Sequence, residues 1–98
     1  MYSGNFFFLF GGMLMIVTLN SAEIAILFRQ DPATKDDGGF QSFLISLQER
    51  INQKTGVINL TESDLEKIPR YAFDYGNGGW ENRLTGIFGR VLGNRLGR

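Results

Sequence analysis

The sequence contains one short motif twice. An apolar segment, a polar residue suited to cap a helix and an acidic residue occur in this order at residues 16–23 and again at residues 57–64. Downstream of each copy, two glycines precede an aromatic residue, at residues 38–40 and 78–80. A unit of this size cannot bury its apolar face alone, so we expect the two copies to pack against each other. The repeat therefore predicts a fold with pseudo-two-fold internal symmetry.

Short apolar segments predict two β-strands, at residues 15–19 and 57–60. Each strand is followed by a pair of residues typical of a helix start. The polar side chain accepts a hydrogen bond from a first-turn amide, and the acidic side chain accepts one from the amide of the capping residue. These pairs are Asn20 with Glu23 and Thr61 with Asp64. We expect the strands to pair as a ribbon, which is stable only if helices cover it.

Apolar residues at helical spacing predict four helices. The first follows Asn20 to about residue 29, and the second covers residues 40–53. The third follows Thr61 and is expected to bend or shorten at Pro69, whose ring clashes with the preceding turn. The fourth covers residues 80–92. The predicted fold class is therefore α+β and mainly helical: a tandem strand–helix–Gly-Gly–helix repeat with four helices and a two-stranded ribbon.

The 98 residues are expected to form one domain. We place this domain at residues 15–93, with repeat copies at 15–53 and 57–93, followed by a basic tail at residues 94–98. Residues 1–14 are predicted to be an apolar N-terminal extension. The apolar run is shorter than the roughly 20 residues that a transmembrane helix needs, and it lacks the basic start of a secretory signal. A membrane-surface or partner anchor is the alternative interpretation of this extension.

The composition argues against most kinds of catalytic site. The chain has no cysteine and no histidine, which removes most zinc sites and the Ser-His and Cys-His nucleophile pairs. The acidic loop with Asp31, Asp36 and Asp37 does not fit the spacing of an EF-hand and is expected to be solvated. Ten basic and ten acidic residues balance, so bulk charge does not favour nucleic acid. We predict a non-enzyme without metal or cofactor.

The first candidate binding site is an aromatic cluster around the second Gly-Gly junction, made of Tyr71, Phe73, Tyr75 and Trp80. Most of this cluster is expected to be core, but tyrosine and tryptophan beside an arginine are also typical of a protein-binding hot spot. The sequence therefore predicts a non-catalytic protein-binding, adaptor or inhibitor module. The predicted partner-binding residues are Tyr75, Asn77, Trp80, Arg83 and Arg90.

Two other binding functions remain open. Arg83, Arg90, Arg95 and Arg98 predict, as the alternative, a nucleic-acid-binding stripe, although a solvated face explains them equally well. Arg50 and Arg90 occupy matching repeat positions, which indicates a structural role for both. The third hypothesis is a small phosphorylated ligand at the amides of the Gly-Gly junctions, in a site that a homo-oligomer could complete. Close helix packing is the favoured explanation of these glycines.

The second half of the domain carries a wider pattern, made of Leu60-Thr61, Asp64-Leu65, Ile68, Arg70-Tyr71-Ala72, Gly78-Gly79-Trp80, Arg83-Leu84 and Ile87-Phe88. This pattern resembles small proteins of bacteria and their mobile elements that carry no assigned function. The resemblance covers residues 15–93, and residues 1–14 depart from it. It implies a cytoplasmic accessory protein of a bacterium or phage, and it carries over no activity and no site residue.

Overall fold

The structure, a computed structural model, describes the backbone of residues 5–9 and 12–96 and the side chains of residues 14–96. Within these residues the protein is a mainly helical α+β fold. The elements in chain order are β1 (Asn5–Leu9), β2 (Gly12–Thr18), α1 (Ser21–Leu27), α2 (Gly39–Arg50), β3 (Val57–Thr61), α3 (Glu62–Phe73) and α4 (Gly78–Leu92). Two short 3-10 helices, Pro32–Thr34 and Gly93–Leu96, follow α1 and α4.

The two predicted strands pair as an antiparallel ribbon. Val17 of β2 lies opposite Ile58 of β3, and on either side Ile16 pairs with Asn59 and Thr18 with Val57. Alternate residues of both strands face the helices, and these side chains are buried: Met15, Val17, Ile58 and Leu60. The predicted α+β class, with four helices over this ribbon, is confirmed.

β1 extends the ribbon on the free side of β2 and was not predicted from the sequence. Asn5 lies opposite Ile16 and Leu9 opposite Gly12 in an antiparallel hairpin, so the described sheet has the order β1-β2-β3. The uninterrupted apolar run at residues 6–10 lacks the alternation that marks a half-buried strand. The predicted domain boundary at residue 15 stays a prediction, since strand pairing alone does not define where a domain can be cut.

Both predicted helix starts are capping boxes. In α1, Asn20 Oδ1 accepts from the Glu23 amide at 2.9 Å, and Glu23 Oε1 accepts from the Asn20 amide at 2.8 Å. In α3, Thr61 Oγ1 accepts from the Asp64 amide at 3.1 Å, and Asp64 Oδ2 accepts from the Thr61 amide at 2.8 Å. Each box pairs amides that the helix leaves unbonded, and so fixes how the chain passes from strand to helix.

Several helix boundaries differ from the prediction. α1 and α2 end earlier than expected, and α4 begins already at Gly78. α3 continues through Pro69 to Phe73, so Pro69 does not shorten the helix, and the alternative expectation of a bend stays a prediction. Ile68 and Ala72, on either side of Pro69, are buried in the core, and this packing offsets the one hydrogen bond that a proline removes.

The core lies between the sheet and the four helices. Its largest fully buried side chains include Phe40, Leu44 and Leu47 of α2, Ile68 of α3 and Phe88 of α4. It also takes in one residue of the predicted basic tail, because Leu96 is buried against it. At one corner of the fold the first turns of α2 and α4 meet the end of α3.

Candidate functional site

The two Gly-Gly-aromatic junctions meet at this corner. Phe40 and Trp80 stack with ring centroids 4.5 Å apart and an interplanar angle of 14°. Phe40 is buried and Trp80 is half-buried, so the stack leads from the core to the surface. A Cβ atom on Gly39 would overlap the Tyr71 hydroxyl, so a side chain at this position would force the Tyr71 ring to move. The packing explanation of the first junction therefore fits its geometry.

Tyr71 and Tyr75 extend the stack at the end of α3. The Tyr71 ring lies 5.9 Å from the rings of both Phe40 and Phe43. Tyr75 stacks on Tyr71 at 5.5 Å and meets the Trp80 ring at 5.4 Å with an interplanar angle of 67°. We call these five residues, Phe40, Phe43, Tyr71, Tyr75 and Trp80, the aromatic corner.

Tyr75 is the outermost residue of the aromatic corner. Tyr75 is 56% exposed, whereas Phe28 at the end of α1 is 37% exposed. Within the described residues, Phe28 makes no ring contact with the corner. The exposed Tyr75 is therefore part of a continuous aromatic surface, while Phe28 is not.

Asn77 and Arg83 border the aromatic corner and also hold it together. Asn77 Oδ1 accepts from the Trp80 amide at 3.1 Å and so caps α4. The Arg83 guanidinium carbon lies 5.9 Å from the Phe40 ring centroid, and Nη1 donates to Gln30 Oε1 at 2.6 Å. The structure thus brings four of the five predicted partner-binding residues together: Tyr75, Asn77, Trp80 and Arg83.

The fifth predicted residue, Arg90, lies in a different place. It follows Trp80 by about 15 Å along α4, and its Nε and Nη2 donate to the two carboxylate oxygens of Glu23 at 3.0 and 2.8 Å. Nη2 also donates to the Thr18 carbonyl at 2.8 Å. Arg90 therefore joins α4 to the start of α1 and the end of β2, beside an open depression of about 390 Å³ lined by Thr18, Leu19, Asn20 and Arg90.

Arg50 makes the corresponding contacts from α2. Its Nη1 and Nη2 donate to the two carboxylate oxygens of Asp64 at 2.7 and 2.9 Å, and Nη1 also donates to the Asn59 carbonyl at 3.3 Å. Each arginine thus binds the capping carboxylate of a helix from the other half of the chain. The matching positions of Arg50 and Arg90 indicated a structural role, and these contacts provide one. The internal repeat itself stays a prediction.

The two capping carboxylates are almost completely buried. Burial raises the pKa of Glu23, but the hydrogen bonds from Arg90 and from the Asn20 amide outweigh it and leave this pKa below its ordinary value. Burial also raises the pKa of Asp64, and the bonds from Arg50 and Thr61 again lower it overall. The bond to Glu23 raises the pKa of Arg90 in turn. Both carboxylates are therefore held in the charged form.

The ion-pair partners of Arg50 and Arg90 were not predicted from the sequence, although the repeat contains a signal for them. Acidic residues recur at Glu23 and Asp64, and arginines recur at Arg50 and Arg90. A matched set of opposite charges in two copies indicates pairing between the copies. The rest of the predicted arginine stripe is divided: Arg95 is exposed in the last 3-10 helix, and Arg98 lies outside the described residues.

The glycine junctions offer little free surface for an anion. Asn77 already accepts a hydrogen bond from a first-turn amide of α4, and the exposed Asp36 and Asp37 precede Gly38, the N-cap of α2. Among the described residues, no group of acidic side chains could hold a metal ion, and no helix there is long and apolar enough to cross a bilayer. Comparison of the chain with protein-family models, curated proteins and solved structures finds no match.

Proposed function

We propose that this protein is a non-catalytic protein-binding module, acting as an adaptor or inhibitor, and that the aromatic corner is its binding surface. One observation carries the proposal. Tyr75 is 56% exposed and yet is held in ring contact with both Tyr71 and Trp80. Contiguous exposed apolar surface is typical of interaction sites, whereas single exposed rings are ordinary.

The contacts of Tyr75 also reduce the cost of binding. Fixing a mobile side chain at an interface costs about 0.5–1.5 kcal/mol, and part of this cost is already met where neighbouring rings hold the side chain in place. Tyrosine and tryptophan are enriched among residues whose truncation costs about 2 kcal/mol or more of binding free energy. Tyr75 and Trp80 together have this composition, and Phe40 anchors them to the core.

The buried carboxylates support structural roles and no catalytic one. Glu23 and Asp64 each accept hydrogen bonds from a cap amide and from an arginine. A general acid or base needs lone pairs or a proton available to substrate at the working pH. Both groups instead use these oxygens to hold elements of the fold, so we propose no enzymatic activity, metal or cofactor.

Nucleic-acid binding, the alternative function, has weaker support. Arg83 and Arg90, two residues of the proposed stripe, already donate to Gln30 and Glu23. Contacts to phosphates would compete with these hydrogen bonds.

The third function, binding of a small phosphorylated ligand, is disfavoured by the Asn77 cap on α4 and by the acidic residues before α2. From the resemblance, we further propose an accessory protein of a bacterium or phage that acts in the cytoplasm.

A photo-crosslinking amino acid placed at position 75 of the full chain tests the proposed surface. The same residue at position 28 is the matched control, because Phe28 is also an exposed aromatic but lies outside the aromatic corner. The proteins are produced in the host cell, irradiated, and divided into nuclease-treated and untreated halves. We expect a discrete protein adduct from position 75, absent from position 28 and resistant to nuclease. Adducts that are equal at both positions, or that depend on nucleic acid, would contradict the proposal.

A further inference from the structure

We infer that the segment which the aromatic corner binds is basic: a stretch of the partner protein rich in arginine or lysine. This inference rests on the proposed function and specifies the chemistry of the partner. It comes from the charges that surround the exposed rings, and from the fact that aromatic faces bind cations.

Four carboxylates lie close in the sequence to residues of the aromatic corner. Asp74 immediately precedes Tyr75, and Glu81 immediately follows Trp80. Asp36 and Asp37 precede the glycine junction that packs on the Tyr71 hydroxyl. All four carboxylates are exposed, and within the described part of the chain none of them forms an ion pair.

Positive charge near the corner balances these carboxylates only in part. The Lys67 Nζ atom lies 5.9 Å from the Phe43 ring centroid. Arg83 lies over the Phe40 ring and donates to Gln30, a neutral side chain. Arg70 lies 5.3 Å from the Tyr71 ring centroid, but its charge is paired with Glu66 at 3.3 Å. Lys67 and Arg83, which form no ion pair within the described residues, stand against four carboxylates. The surroundings of the corner therefore carry an excess of negative charge, although the whole chain has a formal net charge of zero.

Negative charge around aromatic rings favours a cationic occupant. The face of a tyrosine or tryptophan ring attracts guanidinium and ammonium groups. The nearby carboxylates attract the same groups and repel acidic segments, so they select the partner as well as strengthen its binding. An acidic or phosphorylated segment would have to approach Asp74 and Glu81 with the same sign of charge. A basic segment satisfies the rings and the carboxylates together.

The fluorescence of Trp80, the one tryptophan of the chain, provides a direct test. The full-length protein is titrated with a short peptide of alternating arginine and glycine, blocked at both ends. The same peptide with glutamate in place of arginine, and a neutral serine–glycine peptide, are the controls. We expect a saturable change in emission with the arginine peptide only. The affinity should fall as salt rises, because exposed charges are screened within about 8 Å at physiological ionic strength.

Variants of the corner identify where the peptide binds. We expect Tyr75→Ala to lower the affinity for the arginine peptide about tenfold or more, since this loss is typical of a hot-spot residue. Asp74→Asn and Glu81→Gln should each lower it severalfold and reduce its dependence on salt. Phe28→Ala and Glu62→Gln, which alter an exposed ring and an exposed carboxylate elsewhere, should leave it unchanged.

Failure of the inference and failure of the proposed function give different results. Equal responses to the arginine and glutamate peptides, or an affinity that Tyr75→Ala and Asp74→Asn leave unaltered, would overturn a basic partner. If position 75 still crosslinks to a protein in that case, the binding function stands and only the charge of its partner is wrong. If position 75 crosslinks to no protein, the proposed function itself fails.

Discussion

Phe40 and Trp80 stack on each other with ring centroids 4.5 Å apart, and so join the first turn of α2 to the first turn of α4. Each is the aromatic residue that follows a Gly-Gly pair. Because Phe40 is buried, the stack anchors Trp80, and Trp80 in turn contacts the exposed Tyr75. The exposed Tyr75 is thus supported by a series of ring contacts that begins in the core.

Stability measurements should separate the supporting residue of this series from the exposed one. We expect Trp80→Ala to lower the free energy of unfolding by about 2–3 kcal/mol, somewhat less than the 3–5 kcal/mol that is common for a fully buried aromatic residue. Tyr75→Ala should lower it by about 1 kcal/mol or less. Urea denaturation of the full chain measures both, with Phe28→Ala as the control. Equal losses for Tyr75→Ala and Trp80→Ala would make Tyr75 a structural residue rather than a binding one.

Gly39 is expected to be intolerant of a side chain because of the Tyr71 hydroxyl. Gly39→Ala should destabilise the fold by about 1–3 kcal/mol, the usual cost of overpacking. Removing the hydroxyl with Tyr71→Phe should recover much of that loss, and a double-mutant cycle measured by thermal denaturation quantifies the coupling. Gly89→Ala is the matched control. A Cβ there meets no neighbouring atom, so this change within α4 should stabilise the protein by about 0.5–1 kcal/mol. Additive effects of Gly39→Ala and Tyr71→Phe would exclude the proposed contact.

Arg90 is expected to be a stability residue rather than a binding residue. Arg90→Ala leaves the buried carboxylate of Glu23 without its arginine, which should cost about 1.5–3 kcal/mol. Arg90→Lys should have an intermediate free energy of unfolding, because a lysine keeps the charge but cannot form the bidentate hydrogen bonds. Arg29→Ala changes an exposed arginine, and its free energy of unfolding should lie within about 0.5 kcal/mol of that of the parent protein. Chemical denaturation of the three variants at neutral pH makes the comparison. Unfolding free energies alike for Arg90→Ala and Arg29→Ala would refute the structural role.

The two capping carboxylates should make the fold sensitive to acid. Because their pKa values are lower in the folded protein, they stabilise it above the pKa values of the unfolded chain. That contribution is lost as the pH falls below about 4, through the lower folded values. Glu23→Gln should therefore be less stable than the parent at pH 7, and the difference should shrink as the pH falls toward 3. Denaturation curves across this range test the sign, and a difference that is independent of pH would contradict it. Asp64→Asn should likewise be less stable than the parent at pH 7, by a difference that shrinks as the pH falls.

The parts of the fold that sequence predicts well are those with local causes. The capping boxes at Asn20 and Thr61 depend on residues three apart, and the ribbon strands are marked by short apolar segments next to these caps. β1 could not be predicted in the same way, because a run of apolar residues fits a strand, a buried helix or an anchor equally well. What selects the strand is its pairing with β2, the next element along the chain, and the apolar run by itself does not reveal that pairing.

The candidate site could likewise be predicted where its signal is local, and could not be predicted where it depends on packing. The aromatic residues around the second Gly-Gly junction were predicted to gather, and Tyr71, Tyr75 and Trp80 do lie together. The grouping of Arg83 with Arg90 rested on helical spacing alone. Spacing places two side chains on similar sides of a helix, but their contacts depend on what packs beside each one. Gln30 lies beside the first and Glu23 beside the second.

Hydrogen exchange of the full chain, alone and bound to the protein that crosslinks at position 75, tests the binding surface most directly. We predict that partner binding slows exchange of amides at residues 71–83, which contain the end of α3 and the start of α4. Amides of the β2–β3 ribbon should exchange as they do in the free protein. Slowed exchange at the ribbon or around Arg90, with residues 71–83 unaffected, would contradict the account and place the binding surface elsewhere on the molecule.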